Sequence, residues 1–418
     1  MGNKNNLTGV QYKNFLRKKN IIKHLYYKKK MTKAELADIT NTTPPTISKL
    51  LEKLMNTDLV EEKGYREANS RGGPRPVVYG LRADSRYIVS VYINMYNTRI
   101  VIFDLNNEMV SSLKKISIKL EEGLDVIDQV AGHLNNLIEK ENIDRDKILG
   151  CGVAMKGLID SEKGVSYTYL VPEDEKTTRE IFEEKFGFPT IIENDARVLA
   201  MGEYHFGKAQ KVDNVLCLNV EWGVGMGIIT DGTLYRGKNG LAGEIGHIQV
   251  DREGRLCECG MRGCLETIAS GSALKRELSE GLKKGIPTKL KEFSDIEDPE
   301  LFDLDRVFEI AQEGDHFAIN LVSQIGYHLG KGVSILLHLF NPEMIIIGGT
   351  FSQGGNYILD SINRALNEHV MPKIRIQTKL VTSDLGKMAI VKGGVALFTR
   401  WLFKNLHDEE IDLFSLEN

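Results

Sequence analysis

Two rhythms of apolar positions divide the chain. In "MTKAELADITNTTPPTISKLLEKLMNTDLVEE" the spacing is helical. Leu36 and Ile39 give a short helix its buried side, and Ile47, Leu50, Leu51 and Leu54 fall at i, i+3, i+4 and i+7 of a second one. Thr32 stands at an N-cap with Glu35 in the capping-box position, and Thr43 caps the second helix with Pro44 in its first turn. The stripe leaves Thr42, Thr46, Ser48, Lys49 and Lys53 to face outward. Two short helices around a tight turn, the second with a polar outer face, are the parts of a helix-turn-helix. "LVEEKGYREANSRGGPRPVVYGL" then reads as a β-hairpin wing, with Arg66, Arg71 and Arg75 near its tip.

After residue 83 the rhythm becomes that of strands. "YIVSVYINMYNTRIVIFDLNNEMVSSLKKIS" predicts three strands with a turn at "DLNN", and "NVLCLNVEWGVGMGIITDGTLYRG" predicts the same with its turn at "TDGT". Sixteen residues separate Ile88 from Asp104, and sixteen separate Val215 from Asp231. Two similar meanders, each followed by helical stretches, predict a duplicated α/β unit with a cleft between the copies. "GCGVAMKGLID", "TIIENDARVLAMGEY" and "IIIGGTFSQGG" each run a strand into a turn, where α/β sheets place ligand groups.

Charge sharpens the division. The net −4 hides 17 Lys/Arg against 7 Asp/Glu in residues 1–82, and 37 against 51 in the remainder. A basic module on an acidic body points to an anionic partner at one end, and with the wing and the capped helix it favours DNA over a protein-binding helical hairpin. A composition 42% hydrophobic and 27% charged excludes a disordered chain. No apolar run approaches the ~18 residues of a membrane helix, and no secretory signal is evident, so a cytoplasmic location is expected. Three of the five cysteines, Cys257, Cys259 and Cys264, fall within eight positions, ten residues after His247. In a reducing compartment such a cluster points to metal or redox chemistry rather than disulfides.

With "ENDA" at 193–196, "GEIGH" at 243–247 and "CECGMRGCLE" at 257–266, the chain resembles the ROK family (repressors, open reading frames and sugar kinases) over nearly its whole length, and within it the repressor branch. The resemblance implies a winged helix-turn-helix followed by a two-lobed α/β actin-like, RNase H-like sugar-kinase fold. The expected domains are 1–82 (DNA binding), 83–196 with a C-terminal helix 398–418 (small lobe), and 197–397 (large lobe). It implies that His247, Cys257, Cys259 and Cys264 hold a structural zinc. That donor set closes a tetrahedron without an open position, whereas the C-x-C spacing is not that of a redox pair. It also implies that Gly157, Asn194, Asp195, Glu244, His247 and Glu266 bind a sugar, Asp195 occupying the position of the base in family kinases. On the DNA side it adds Thr43, Arg71 and Arg75 to the outward residues of the second helix.

Phosphoryl transfer needs more than a base. The family's first phosphate turn, Asp-x-Gly-Gly-Thr, is here "YINMY", with Tyr92, Asn94, Met95 and Tyr96 replacing its key residues. In the second, Gly-Thr-Gly-x-Gly, Glu221 and Trp222 replace the first Gly and the Thr. The expectation is a kinase fold without kinase activity and without ATP or Mg²⁺: a sugar-responsive repressor acting as a homodimer on double-stranded operator DNA. An active sugar kinase carrying a DNA-binding module is the alternative. Lys156, in "MKGL", is expected near the cleft, where it either pairs with an anionic group of the ligand, a phosphate or uronate, or stands solvated at a strand end.

Overall fold

The computed structural model describes residues 9–66, 75–120, 123–173, 175–292 and 303–405. The N-terminal module comprises α1 (Gly9–Lys28), β1 (Met31–Thr32), α2 (Lys33–Ile39), α3 (Pro44–Asn56), β2 (Val60–Tyr65) and β3 (Val77–Leu81), its strands ordered β1-β3-β2. The capping box forms as expected: Thr32 Oγ1 accepts from the Glu35 N–H, and the Glu35 carboxylate accepts from the Thr32 N–H at 2.8 Å. Ile47, Leu50, Leu51 and Leu54 are buried. Ile39 is not: it ends the seven-residue α2 and is 42% exposed, while Leu36 and Ala37 do the packing. Thr43 holds the N-cap position of α3 but makes no capping bond, and its hydroxyl instead meets that of Thr46 at 2.9 Å. Pro44 and Pro45 occupy the first two helical positions, so two of the N–H groups a cap serves do not exist.

The body repeats one topology. β4 (Tyr87–Ile93), β5 (Thr98–Asp104), β6 (Lys114–Ile116), α4 (Asp125–Lys140), β7 (Ile148–Met155), the hairpin β8 (Ile159–Asp160) and β9 (Val165–Ser166), α5 (Thr178–Phe186) and β10 (Thr190–Asn194) make the first lobe. Its sheet runs β10-β7-β4-β5-β6, antiparallel through β4–β5–β6 and parallel through β4–β7–β10. Next come α6 (Asp195–Phe206), β11 (Val215–Val220), β12 (Val224–Thr230), β13 (Thr233–Tyr235), α7 (Gly271–Lys283), α8 (Leu304–Gln312), α9 (His316–Phe340), β14 (Met344–Gly348), α10 (Gly355–His369), α11 (Pro372–Arg375), β15 (Lys379–Thr382) and α12 (Met388–Asn405). The second sheet, β13-β12-β11-β14-β15, has the same pattern of directions. The "TDGT" turn is a two-residue hairpin with Asp231 and Gly232 both at positive φ. The "DLNN" turn is wider: Asp104 Oδ1 gathers the N–H groups of Asn106 and Glu108, and β6 begins only at Lys114.

Strand alternation decides what each face buries. Val89, Val91 and Ile93 join the core beneath α4 and α5, while Ile88 and Tyr92 face the opposite layer. That layer is a helix pair. α12 packs on β4 and β7, α6 packs on β11 and β12, and the two helices pack on each other. Glycines permit the approach: a Cβ on Gly202 would lie 1.9 Å from the Ala389 carbonyl oxygen, and one on Gly393 would lie 2.0 Å from that of Val198. The helix expected from 398 thus begins earlier, at Met388, and the 406–418 portion lies outside the described residues.

The same layer carries the N-terminal module, whose core is continuous with it. Tyr26 packs against Phe403 and donates to Asn107 Oδ1, Lys29 Nζ donates to the Asn106 carbonyl at 3.1 Å, and Tyr27 stacks on His205 at the end of α6.

Candidate functional site

Between the lobes lies a cavity of about 380 Å³. Gly157, Asn194, Asp195, Glu244, His247 and Glu266 all line it, together with Lys156, Glu221 and Trp222. Asn194 ends β10 and caps α6, its Oδ1 accepting from the N–H groups of Ala196 (3.0 Å) and Arg197 (3.3 Å). Its amide donates to the Gly157 carbonyl at 3.1 Å. Gly157 itself adopts φ +109, with Thr168 and Tyr169 crowding the space a side chain would need.

Asp195 is buried at the start of α6. Its Oδ1 accepts from the Ala196 N–H at 2.8 Å, and its Oδ2 takes Asn219 Nδ2 at 3.1 Å and the Tyr92 hydroxyl at 3.4 Å. Burial raises its pKa to about 7, against the pull of the Ala196 N–H and Lys156 and with the push of Glu221 and Glu244. Burial also raises Glu244, an effect that Arg197 and His247 oppose. Glu266 is held where Val224 N–H donates to Oε2 at 2.9 Å, and a Cβ on Gly223 would lie only 2.2 Å from that oxygen. Gly225 and Gly227 face α6 instead, against Ala196 and Ala200, so they serve close packing.

Beneath these residues lies a network that sequence reasoning missed. Glu193 is fully buried, and its carboxylate accepts from Arg197 Nε and Arg236 Nε, each at 2.7 Å, and from Ser161 at 3.0 Å. The two guanidinium groups hold it below the usual carboxylate range despite its burial. Arg197 continues to the carbonyls of Ile159 (2.9 Å) and Ala242 (3.2 Å), tying both lobes behind the cavity. A charge at i and i+4 of "ENDAR" was the available signal.

At the rim, ligand atoms of His247, Cys257, Cys259 and Cys264 all lie within 4.8 Å of one another. Cys257 Sγ is 3.6 Å from His247 Nδ1, and Cys259 Sγ is 3.7 Å from Cys264 Sγ. These two separations match the edges of a tetrahedron with metal–sulfur bonds of about 2.3 Å, so the four side chains are gathered closely enough to fit a metal ion. His247 would bind through Nδ1, leaving Nε2 outside the cluster. Cys264 also caps the short turn Leu265–Thr267 that carries Glu266.

The stretches after β4 and β11 meet. Tyr96, after β4, and Trp222, after β11, contact edge-to-face with centroids 5.1 Å apart across the cleft. Glu221 is buried, and its Oε2 accepts from Thr350 at 2.9 Å.

On the N-terminal module, Thr43, Lys49, Lys53 and Arg75 are exposed, and Thr42, Thr46 and Ser48 are half-buried. Arg71 lies outside the described residues. Arg66 is paired with Glu35 of the capping box, which fastens the wing to α2.

A family model described as the ROK family matches residues 89–400. The chain belongs to the ROK family. ROK relatives that match it beyond the two lobes are regulators, which places it in the repressor branch. The xylose repressor of Caldicellulosiruptor bescii is 29% identical over 385 residues, covering 90% of this chain and 94% of the relative. The DNA-binding transcriptional dual regulator NagC of Escherichia coli is 26% identical over 382 residues, 90% of each chain. Among solved structures, a ROK family transcriptional regulator described as a homolog of the E. coli MLC protein superposes with a TM-score of 0.76 at 26% identity, covering 97% of this chain and all of that one.

Proposed function

We propose that the protein is a DNA-binding transcriptional repressor released from its operator by a sugar bound between the lobes. The observation that carries this is the path of α6: its first residue, Asp195, lines the cavity with the capping Asn194, and its last turn touches the N-terminal module through His205 and Tyr27. A sugar that favours one lobe closure moves that helix relative to the small lobe and so reorients α3. The shift equals its differential affinity for the two states. Two copies reading two half-sites make the response steep, and a homodimer is the expected form. Thr43, Lys49, Lys53 and Arg75 are exposed for phosphate or base contacts.

The donor set of the His247–Cys cluster favours zinc in a structural role. Bound there, zinc neutralises thiolate charge and fixes the loop; the chain's own residues, Glu266 and His247, then present their free atoms to the sugar. Kinase activity is lost on this reading. Tyr96 and Trp222 meet where the phosphate turns would part, and Glu221 adds a negative charge where phosphates would lie.

The cavity also narrows the sugar. Five carboxylates, Asp195, Glu221, Glu244, Glu258 and Glu266, line it with Lys156. Lys156 lies close enough to pull Asp195 down, and the five carboxylates outnumber its single positive charge. A neutral or amino sugar therefore fits better than the phosphate or uronate Lys156 alone suggests. Lys156→Ala should weaken neutral sugars tenfold or more while leaving acidic ones no better bound than in the native protein; a selective loss of acidic sugars would reverse the assignment.

Operator binding at fixed salt, titrated with neutral, amino and acidic sugars, tests the main proposal. Release by one neutral or amino sugar is expected; DNA binding indifferent to every sugar rejects it. The second reading, a sugar kinase with a DNA-binding module, has Asp195 in its favour, because a pKa near 7 suits a general base. Turnover with magnesium-ATP that disappears in Asp195→Asn would establish it.

A further inference from the structure

A second cavity, of about 480 Å³, lies on the opposite side of the Glu193 network from the cleft. Arg179, Arg236, Arg400 and Lys404 line it, Glu162 is the one carboxylate among the described residues of its wall, and Trp401 gives it a ring face. Arg400, Trp401 and Lys404 share one face of α12 with Leu397, at i, i+3, i+4 and i+7. Arg179 is held over Gly164 of the β8–β9 hairpin. Its N–H donates to the Gly164 carbonyl at 3.0 Å, and a Cβ on Gly164 would lie 2.8 Å from that of Arg179. Arg236 is already engaged with Glu193. Arg179, Arg400 and Lys404 have no ion-pair partner among the described residues.

This is the reverse of the cleft in sign: excess positive charge, two arginines without counter-ions, and a volume in the range of small-molecule sites. Guanidinium forks match phosphate oxygens two at a time, and an aromatic wall accepts the body of a ligand. We propose that this cavity binds a small phosphate-bearing metabolite, its phosphate between Arg400 and Arg179 and its body against Trp401. The site sits where it can matter. Arg236 links it to Glu193 and hence to Asn194 and Arg197 of the sugar site, while Arg400 lies near His205 and Tyr27, where the DNA-binding module docks. Binding itself does not depend on the repressor reading; any effect on the operator does.

Calorimetry on the full-length protein, at matched ionic strength, with glucose 6-phosphate, inorganic phosphate and glucose tests the site. Saturable binding of a phosphate-bearing probe is expected. It should weaken at least tenfold in Arg400→Gln and, separately, in Arg179→Gln, and stay unchanged in Asp195→Asn. Preference for the ester over inorganic phosphate would identify an organic phosphate as ligand; equal binding would identify free phosphate. The two arginines stand on different elements, so a folding defect in one variant leaves the other to decide. Absence of saturable binding, indifference to both arginine changes, or loss in Asp195→Asn would each overturn the proposal. The operator titration is read separately, so failure here and failure of the sugar response remain distinguishable.

Discussion

At the scale of single residues, the cavity is a place where charge is expensive. Asp195 holds its proton more tightly when folded than when unfolded, its pKa moving from 3.8 to about 7. The native state therefore binds the extra proton between those values, and stability falls as pH rises through the window and levels above it. Asp195→Asn cannot ionise. The difference in unfolding free energy between this variant and the native protein should grow in the variant's favour by on the order of 2–4 kcal/mol from pH ~4 to pH ~7. Urea titrations at several pH values measure it, and a constant difference would show that Asp195 titrates normally. Gly223 gives a sharper steric test. Its Cβ would stand 2.2 Å from Glu266 Oε2, so Gly223→Ala should displace that carboxylate and weaken sugar binding tenfold or more, with the circular dichroism spectrum unchanged. The sequence made these polar side chains legible because each sits in a short motif, at the end of β10 for Asn194 and Asp195 and in short loop turns for Glu244, His247 and Glu266. Arg236 was not legible as part of the site, since its partner Glu193 is 43 residues away and only the folded chain joins them.

At the scale of elements, periodicity was a sound guide wherever one face of a helix or strand meets one core. The stripe of α3 and the alternation of β4 and β11 are of this kind. It misled at Ile39, because a helix of two turns does not define a stripe and its last residue escapes the core. The division of labour between α6 and α12, one on each sheet, could not be read from local pattern, for both are apolar on more than one side. The loop from Ile248 to Cys264 shows how an element without regular structure is kept in place. Isolated bridges Gln249–Cys264 and Leu256–Arg262 are its strand-like pairings, backbone bonds such as Cys257 N–H to the Met261 carbonyl at 2.8 Å close its turns, and a bound ion would add to that order. Removing the metal by a chelator, or by Cys264→Ser, should lower the melting temperature and weaken sugar binding together. Mass spectrometry of the intact protein would follow the ion. Unchanged sugar affinity in the metal-free protein would mean that Glu266 is positioned by Val224 and Gly223 alone.

At the scale of the molecule, the N-terminal module shares a core with α12, where Tyr26 meets Phe403, and has two further moorings on different lobes. Tyr26 and Lys29 hold the Asp104–Asn107 turn of the first lobe, whereas Tyr27 stacks on His205, with ring centroids 6.0 Å apart, at the far end of the helix that begins at the interlobe cavity. A 12-residue helix is a stiff rod about 18 Å long. Rotation of one lobe against the other therefore drives Tyr27 relative to Tyr26, and α1 must tilt or the stacking must break. Tyr27→Ala cuts the mooring to α6 and leaves the other intact. In that variant, sugar affinity and sugar-free operator affinity should each stay within about threefold of native, while the sugar-induced loss of operator affinity shrinks. Linkage fixes the companion result: whatever factor the sugar takes from DNA affinity, DNA must take from sugar affinity. Both arms of that cycle should therefore collapse together in Tyr27→Ala. Retention of the full sugar response would place the transmission at Tyr26 and the first lobe, and would remove α6 from the path between ligand and DNA.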